Sequence, residues 1–388
     1  MRISVYIKTF IILIMIYVMA LFISFSIPFS GVDDHALDAQ KVIQRDGVYP
    51  HVNKDIPVTQ LDNFTDLQVM IPRVSIKNNP LYHSMDMNDY ARYWHGYATF
   101  LRPALSIFSL TEIRIIYGIA IVMLICSTYS AINKSIGCAA AVSFGISMAM
   151  IHVEIFGQSM QYSNIFIITM LFMLFLYKKS DLISTNTNKI PLYFFIIGSV
   201  VNYVDLLTVP VISLSLPMIM VIFYVNKNPV SIKESCIIVV KSSFSWALGY
   251  GLTWCAKWAV ASVVLMKNVP KEAINQIFFR VMGDNEFPTD RIYTLLVNFE
   301  GIFVNRWISI LLVLVFLLSF ILHKYLRPSI SVPLFIVSMM PYVWYVFLAN
   351  HSQIHAFFVF RAQVGTMMSS IILLSMIICS LKQIPHKK

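Results

Sequence analysis

The chain has 388 residues, 58% of them hydrophobic and only 12% charged, and its mean hydropathy is positive. This composition excludes an ordinary soluble domain and a disordered chain, and it indicates a polytopic membrane protein. The formal charge of +10 is not a nucleic-acid signal, because the basic residues are scattered over membrane edges and loops, where topology accounts for them.

In chain order, the first element is an apolar run from Thr9 to Pro28, about 20 residues and enough for ~30 Å of hydrocarbon. Arg2 and Lys8 precede it, which predicts a cytoplasmic N-terminus. No small-residue cleavage site follows, so a retained helix is expected rather than a signal peptide. Asp33 and Asp34 stand where this helix emerges, with His35 and Asp38 behind them. A charge at a membrane boundary is often only a solvated stop, but this cluster is denser than a stop requires.

Residues 31–110 then form a first external loop. Gly31 to Gln44 reads as a short helix, after which Gly47, Pro50, Pro57, Pro72 and Pro80 break the chain. From Asn88 a second helix is predicted, because Tyr90, Tyr93, Trp94, Tyr97, Phe100 and Leu101 recur at helical spacing, with Arg92 and His95 off that stripe. Its aromatic face would lie at the headgroup level or pack on the bundle. Arg102 and Pro103 lead into the next membrane helix.

Further apolar runs cover Ile113 to Ile132, Ile136 to Phe156, Ile165 to Tyr177, Pro191 to Leu207, Val211 to Val225, Ser242 to Met266, Trp307 to Leu322, Val332 to Leu348 and Val364 to Leu381. The reading is an all-α membrane protein of about ten transmembrane helices, a single domain over 1–388 with a second external loop at 267–306. The short turns alternate in charge. One set carries Lys134, Lys178, Lys179, Lys189, Lys227, Lys233, Lys324, Arg327, Lys382, Lys387 and Lys388, and it is assigned with both termini to the cytoplasm. Of the 19 acidic residues only Asp181 and Glu234 fall on that side, so the chemistry is expected outside. The five cysteines have neither metal nor disulfide spacing and read as small apolar residues.

Several external polar groups are candidates. The last external turn, Asn350 to Arg361, holds His351, His355 and Arg361; arginine presents a fixed donor fork to phosphate oxygens. Taken singly, each of these side chains reads more plainly as snorkelling to the interface. The two histidines, four residues apart, would suit a metal on a helix, but no partner carboxylate lies beside them, and no metal site is assigned. Asp205 beside Asn202, and Glu154 beside His152, sit at outer helix ends; Asp205 either ends its helix or lines a polar cavity. Lys257, between Trp254 and Trp258, either snorkels or meets a lipid phosphate. Around Gly283, the charges Arg280, Asp284, Glu286, Asp290 and Arg291 read as a mutually paired surface loop, with acceptor contact as the sharper alternative.

A first membrane helix, an acidic pair directly after it, a long external loop with interfacial helices and about ten spans together resemble the GT-C superfamily of integral-membrane glycosyltransferases. The resemblance rests on the first hundred residues, the topology and one local motif, Asp33-Asp34. It implies a polyprenyl-phosphate or polyprenyl-pyrophosphate sugar donor, a glycan or glycolipid acceptor, and one of the pair, Asp34 slightly favoured over Asp33, as the general base that deprotonates the acceptor hydroxyl. A carboxylate at a dehydrated membrane edge suits that role. Donor-phosphate or substrate contacts are then assigned to Arg361, His355, His351, Lys257, Arg102, His95, Asp205 and Glu154. A divalent cation stays open as a cofactor, membrane lipid is a partner, and nucleic acid is not. The alternatives are a polysaccharide polymerase or ligase of related architecture, which would rely more on arginines and a large late loop, and a lipid-linked-oligosaccharide or solute transporter, which would show repeats and broken mid-membrane helices.

Overall fold

The computed structural model describes residues 3–28, 30–74, 79–302, 314, 318 and 326–382. Helices dominate these residues, and two isolated bridges, His51–Gln60 and Gly283–Pro288, are the only β pairings among them. In chain order the main helices are α1 (Ile3–Phe25), α2 (Ser30–Asp46), α3 (Pro80–Asp86), α4 (Ala98–Leu105), α5 (Leu110–Ser135), α6 (Cys138–Met150), α7 (Met160–Lys178), α8 (Ile190–Val204), α9 (Ile212–Val225), α10 (Ile232–Leu265), α11 (Val269–Met282), α12 (Arg291–Ile302), α13 (Pro328–Phe347) and α14 (Val364–Lys382).

Among the described residues, six helices are long and apolar enough to cross a membrane: α1, α5, α7, α10, α13 and the run Ala356–Ser380 that includes most of α14. Lipid offers no partner for a backbone amide, so an apolar run that enters it must satisfy its own hydrogen bonds, and the helix is the single-segment solution. α6 and α9 are shorter apolar helices. The apolar run 307–322 lies outside the described residues except for 314 and 318.

Start signals are local. Ser109 and Glu112 form a capping box at α5, and Ser231 and Glu234 form another at α10, each pair satisfying first-turn amides. α1 buries 17% of its apolar window against 67% for α7, which puts α1 at the rim, toward lipid, and α7 in the middle. α8 and α10 approach most closely through glycine. A side chain at Gly198 would run into the Trp246 carbonyl, and one at Gly249 into the Phe195 carbonyl, the close backbone approach that small residues permit between membrane helices.

The short connections gather at one end of the bundle, where Asn226 Nδ2 donates to the Ser329 carbonyl (3.1 Å) and Asn228 Nδ2 to that of Ser184 (2.8 Å). At the opposite end the described residues of the long segments 26–109, 266–302 and 348–363 fold over the helix ends. α2 forms there as expected, with Val32, Ala36, Ala39 and Ile43 buried at helical spacing. The helix expected from Asn88 does not form. Met87, Asn88 and Asp89 take left-handed backbone conformations, as does His95, and three such residues in a row cannot continue a right-handed helix. Residues 88–97 are an irregular segment whose Tyr93, Trp94 and Tyr97 rings are buried, and regular helix resumes only at Ala98.

Candidate anion site between the long loops

The irregular segment is held by tryptophans. The Trp94 indole donates to the Thr253 carbonyl inside the bundle (2.7 Å), while Trp254 and Trp258, one turn apart on α10, both donate to the Arg92 carbonyl (2.7 and 3.0 Å). Arg92 is thereby fixed at its backbone and lays its guanidinium over the Tyr90 ring, 3.9 Å from the centroid. A second guanidinium, Arg73, lies 4.7 Å from the same ring. Each contact is a favourable cation–π pair, but together they place two like charges around one phenol.

A third guanidinium arrives from α11. Arg280 donates to His355 Nε2 (2.9 Å), and both Arg280 and Arg92 act on the hydroxyl of Tyr93, which burial nonetheless pushes up to about 12. Burial, reinforced by Arg280, pushes His355 down to about 3. It also holds His351 well below the usual histidine range, with His355 and Arg280 adding to the effect, and His351 Nε2 donates to the Leu207 carbonyl (2.8 Å). Both imidazoles are therefore neutral at physiological pH and add no charge.

Among the described residues one carboxylate pairs with these arginines, Glu272, which meets Arg92 and is half exposed, while Arg73 donates to the carbonyls of Gln68 (2.6 Å) and Val69 (3.2 Å). The Nε atoms of all three arginines are buried without a hydrogen-bond partner among the described residues. The acids of the second loop do not neutralise them. Asp284 accepts from the Glu286 and Phe287 amides and Asp290 from those of Ile292 and Tyr293, so the expected mutual pairing in that loop gives way to turn and cap bonds. A surplus of planar, partly open donor forks on an aromatic floor is the chemistry of a site for phosphate or carboxylate oxygens.

No family model, no curated protein and no solved structure matches the chain.

The other sequence candidates are placed differently. Arg361 is fully buried and donates to the carbonyls of Ile151 (3.2 Å), Phe357 (3.0 Å) and Val58 (2.9 Å). Arg102 donates to the carbonyls of Ser24 (3.1 Å) and Ile27 (3.0 Å) at the end of α1 and to that of Val74, the last residue of the short helix Ile71–Val74. The Lys257 ammonium takes the carbonyls of Met85 (2.9 Å) and Ser84 (3.3 Å) in the last turn of α3. Helix C-termini leave carbonyls unsatisfied and carry partial negative charge, so these three cations cap backbone. His95 bonds the Tyr90 carbonyl and the Tyr97 hydroxyl, both at 3.0 Å, and burial keeps it neutral. Glu154 pairs with His152 at 2.8 Å, largely exposed. Asp205 ends α8 and accepts from the Thr208 amide (2.9 Å).

Asp33 and Asp34 lie in the first turn of α2, and neither makes a hydrogen bond or ion pair with a described residue. Asp33 is half-buried beside the buried stripe; Asp34 is exposed, about 200° around the helix from Val32 at ~100° per residue. α2 packs against segment 65–74, which carries Arg73.

Of the site's three arginines the sequence offered only Arg280, as a loop charge with acceptor contact in view, and not Arg73 or Arg92. The available signal was negative: Arg73 has no acid three or four residues away to pair with.

Proposed function

We propose that the protein transfers a sugar from a polyprenyl-phosphate or polyprenyl-pyrophosphate donor to a glycan or glycolipid acceptor at the outer face of the cytoplasmic membrane, as a GT-C-like glycosyltransferase. The observation that carries this reading is the cluster of Arg73, Arg92 and Arg280, three guanidiniums with one paired carboxylate, Glu272, among the described residues, at the edge of a membrane bundle. On α11, Ile274, Phe278 and Met282 form an exposed apolar stripe on a different face from Arg280, so a prenyl chain can run in lipid along that stripe while its phosphate reaches the guanidiniums. In the reaction, Asp33 takes the proton of the acceptor hydroxyl, the oxygen bonds to the anomeric carbon, and the bond from that carbon to the phosphate oxygen breaks. The arginines hold the charge left on the departing lipid phosphate.

The test is to incubate purified protein with a panel of polyprenyl-phosphate and polyprenyl-pyrophosphate sugars and to measure free lipid phosphate and elongated acceptor. Release with at least one donor is expected; no release from any donor, with or without divalent cation, sinks the reading. A polymerase or ligase is the second reading, supported by the reliance on arginines and by the second long loop, and it would accept only donors carrying an oligosaccharide.

The full topology of about ten spans counts α6, α8, α9 and the 307–322 run as crossings, with the short-turn end cytoplasmic because the Lys-rich turns lie there. In a cysteine-free background, an impermeant thiol reagent should label Asn53→Cys in intact cells and leave Asn133→Cys silent. The reverse pattern would invert the model.

A further inference from the structure

A second polar interior lies at the junction of α7, α8 and the first loop. A cavity of about 10 Å³ is lined by Tyr97, Gln161, Asn164, Asp205 and Thr208, among others, room for a single water-sized occupant. Its lining oxygens are acceptors in search of a partner. Gln161 Oε1 is buried and has no hydrogen-bond partner among the described residues, and the buried Thr208 Oγ1, whose hydroxyl faces Asp205, accepts from none of them. Asn164 Oδ1 already accepts from Tyr117 (2.9 Å) and so presents its remaining acceptor capacity.

The charge balance is equally one-sided. Asp205 is 4% exposed, and among the described residues no Lys, Arg or His forms an ion pair with it. Burial raises its carboxyl to about 7, opposed by Thr208 and the backbone amides of 206–208. A buried carboxylate with no counter-charge is strongly unfavourable. A neutral water would fill the space and leave the charge as it is, whereas a cation removes it.

We infer that this cavity binds one monovalent cation, Na⁺, held by oxygens of Asp205, Gln161, Thr208 and Asn164. One carboxylate among neutral oxygens balances a single positive charge. Mg²⁺ keeps several of its waters and needs more room than one water-sized hole offers, and K⁺ is larger than Na⁺. No group of three His, Cys, Asp or Glu side chains exists among the described residues to hold a transition metal. The ion would tie the Asp205–Thr208 turn to α7, and with it Leu207, whose carbonyl receives His351. This inference does not depend on the proposed transfer reaction, because its readouts need no donor.

The test uses the full-length protein in detergent, with radioactive sodium binding and thermal unfolding in NaCl, KCl and choline chloride at one ionic strength. One Na⁺ per chain is expected, with an unfolding midpoint raised by roughly 3 °C at saturation in NaCl and not in choline chloride. Asp205→Asn keeps an acceptor for the Thr208 amide and removes the charge, so it should fold and lose the Na⁺ response. Thr208→Val removes one neutral ligand and should raise the half-saturating Na⁺ concentration about tenfold. Absence of bound sodium, equal stabilisation by choline, or a wild-type Na⁺ response in Asp205→Asn would each overturn the inference. A midpoint that follows pH near 7 and ignores Na⁺ would show that a proton, not a cation, neutralises Asp205.

Discussion

Replacing Arg92 or Arg280 with glutamine is expected to weaken binding of a polyprenyl-phosphate donor by about 10- to 150-fold each, the range of one charge-assisted hydrogen bond in free-energy terms. Arg73→Gln should act in the same direction. Lysine at any of the three positions should recover only part of the loss, because an ammonium is a point charge and cannot reproduce two parallel contacts or the stacking on Tyr90. Since His355 is pushed down to about 3, donor affinity should show no histidine titration between about pH 5 and 8. Arg361→Gln is the contrasting control. It leaves the Ile151, Phe357 and Val58 carbonyls without their donor, so its expected phenotype is a lowered unfolding midpoint and poor yield, with donor affinity unchanged in the material that folds. The comparison is made on monodisperse protein by direct donor titration. Wild-type affinity in both Arg92→Gln and Arg280→Gln would remove the cluster from the reaction.

The contrast between these arginines shows what a sequence can convey. The apolar runs that fall within the described residues are mainly helical, because lipid leaves the backbone no alternative, and six of the helices are long and apolar enough to cross a membrane. A cation inside an apolar context carries no such certainty. Arg102, Lys257 and Arg361 drew attention because a buried positive charge calls for an anion, yet the partners they found are carbonyl oxygens at helix ends, which every sequence supplies and none marks. The arginines left with only one carboxylate among them come from residues 73, 92 and 280, each with its Nε unpartnered among the described residues, and their convergence around Tyr90 and Tyr93 is a property of the fold. The segment from Asn88 failed for a different reason. Tyr90, Tyr93, Trp94 and Tyr97 have helical spacing, but they are buried from an irregular chain that reverses at Met87, Asn88 and Asp89. Asn and Asp tolerate the left-handed region and are turn residues, and that local signal outweighed the period.

Asp33→Asn is expected to lower the rate of sugar transfer by about 100- to 10,000-fold, the usual cost of losing a general base, with donor affinity and the unfolding midpoint unchanged. Asparagine keeps the size and the hydrogen-bonding of aspartate but cannot take the acceptor proton. The choice of Asp33 over Asp34 follows from how α2 is seated. Val32, Ala36, Ala39 and Ile43 face the bundle, so Asp33 flanks the packed face, next to the segment that brings Arg73, and Asp34 points away from it. Asp34→Asn should therefore change turnover by no more than a few-fold. α2 also has a fixed rotation, because His35 on its other flank hydrogen-bonds the Leu105 carbonyl at 2.8 Å, which prevents the helix from turning to offer Asp34 instead. The two single mutants and the double mutant are to be assayed for turnover and for donor binding separately. A large loss in Asp34→Asn with Asp33→Asn active would reverse the assignment of the base. Full turnover in the double mutant would leave both carboxylates as a solvated end to the first membrane helix and would require the proton acceptor to be sought elsewhere.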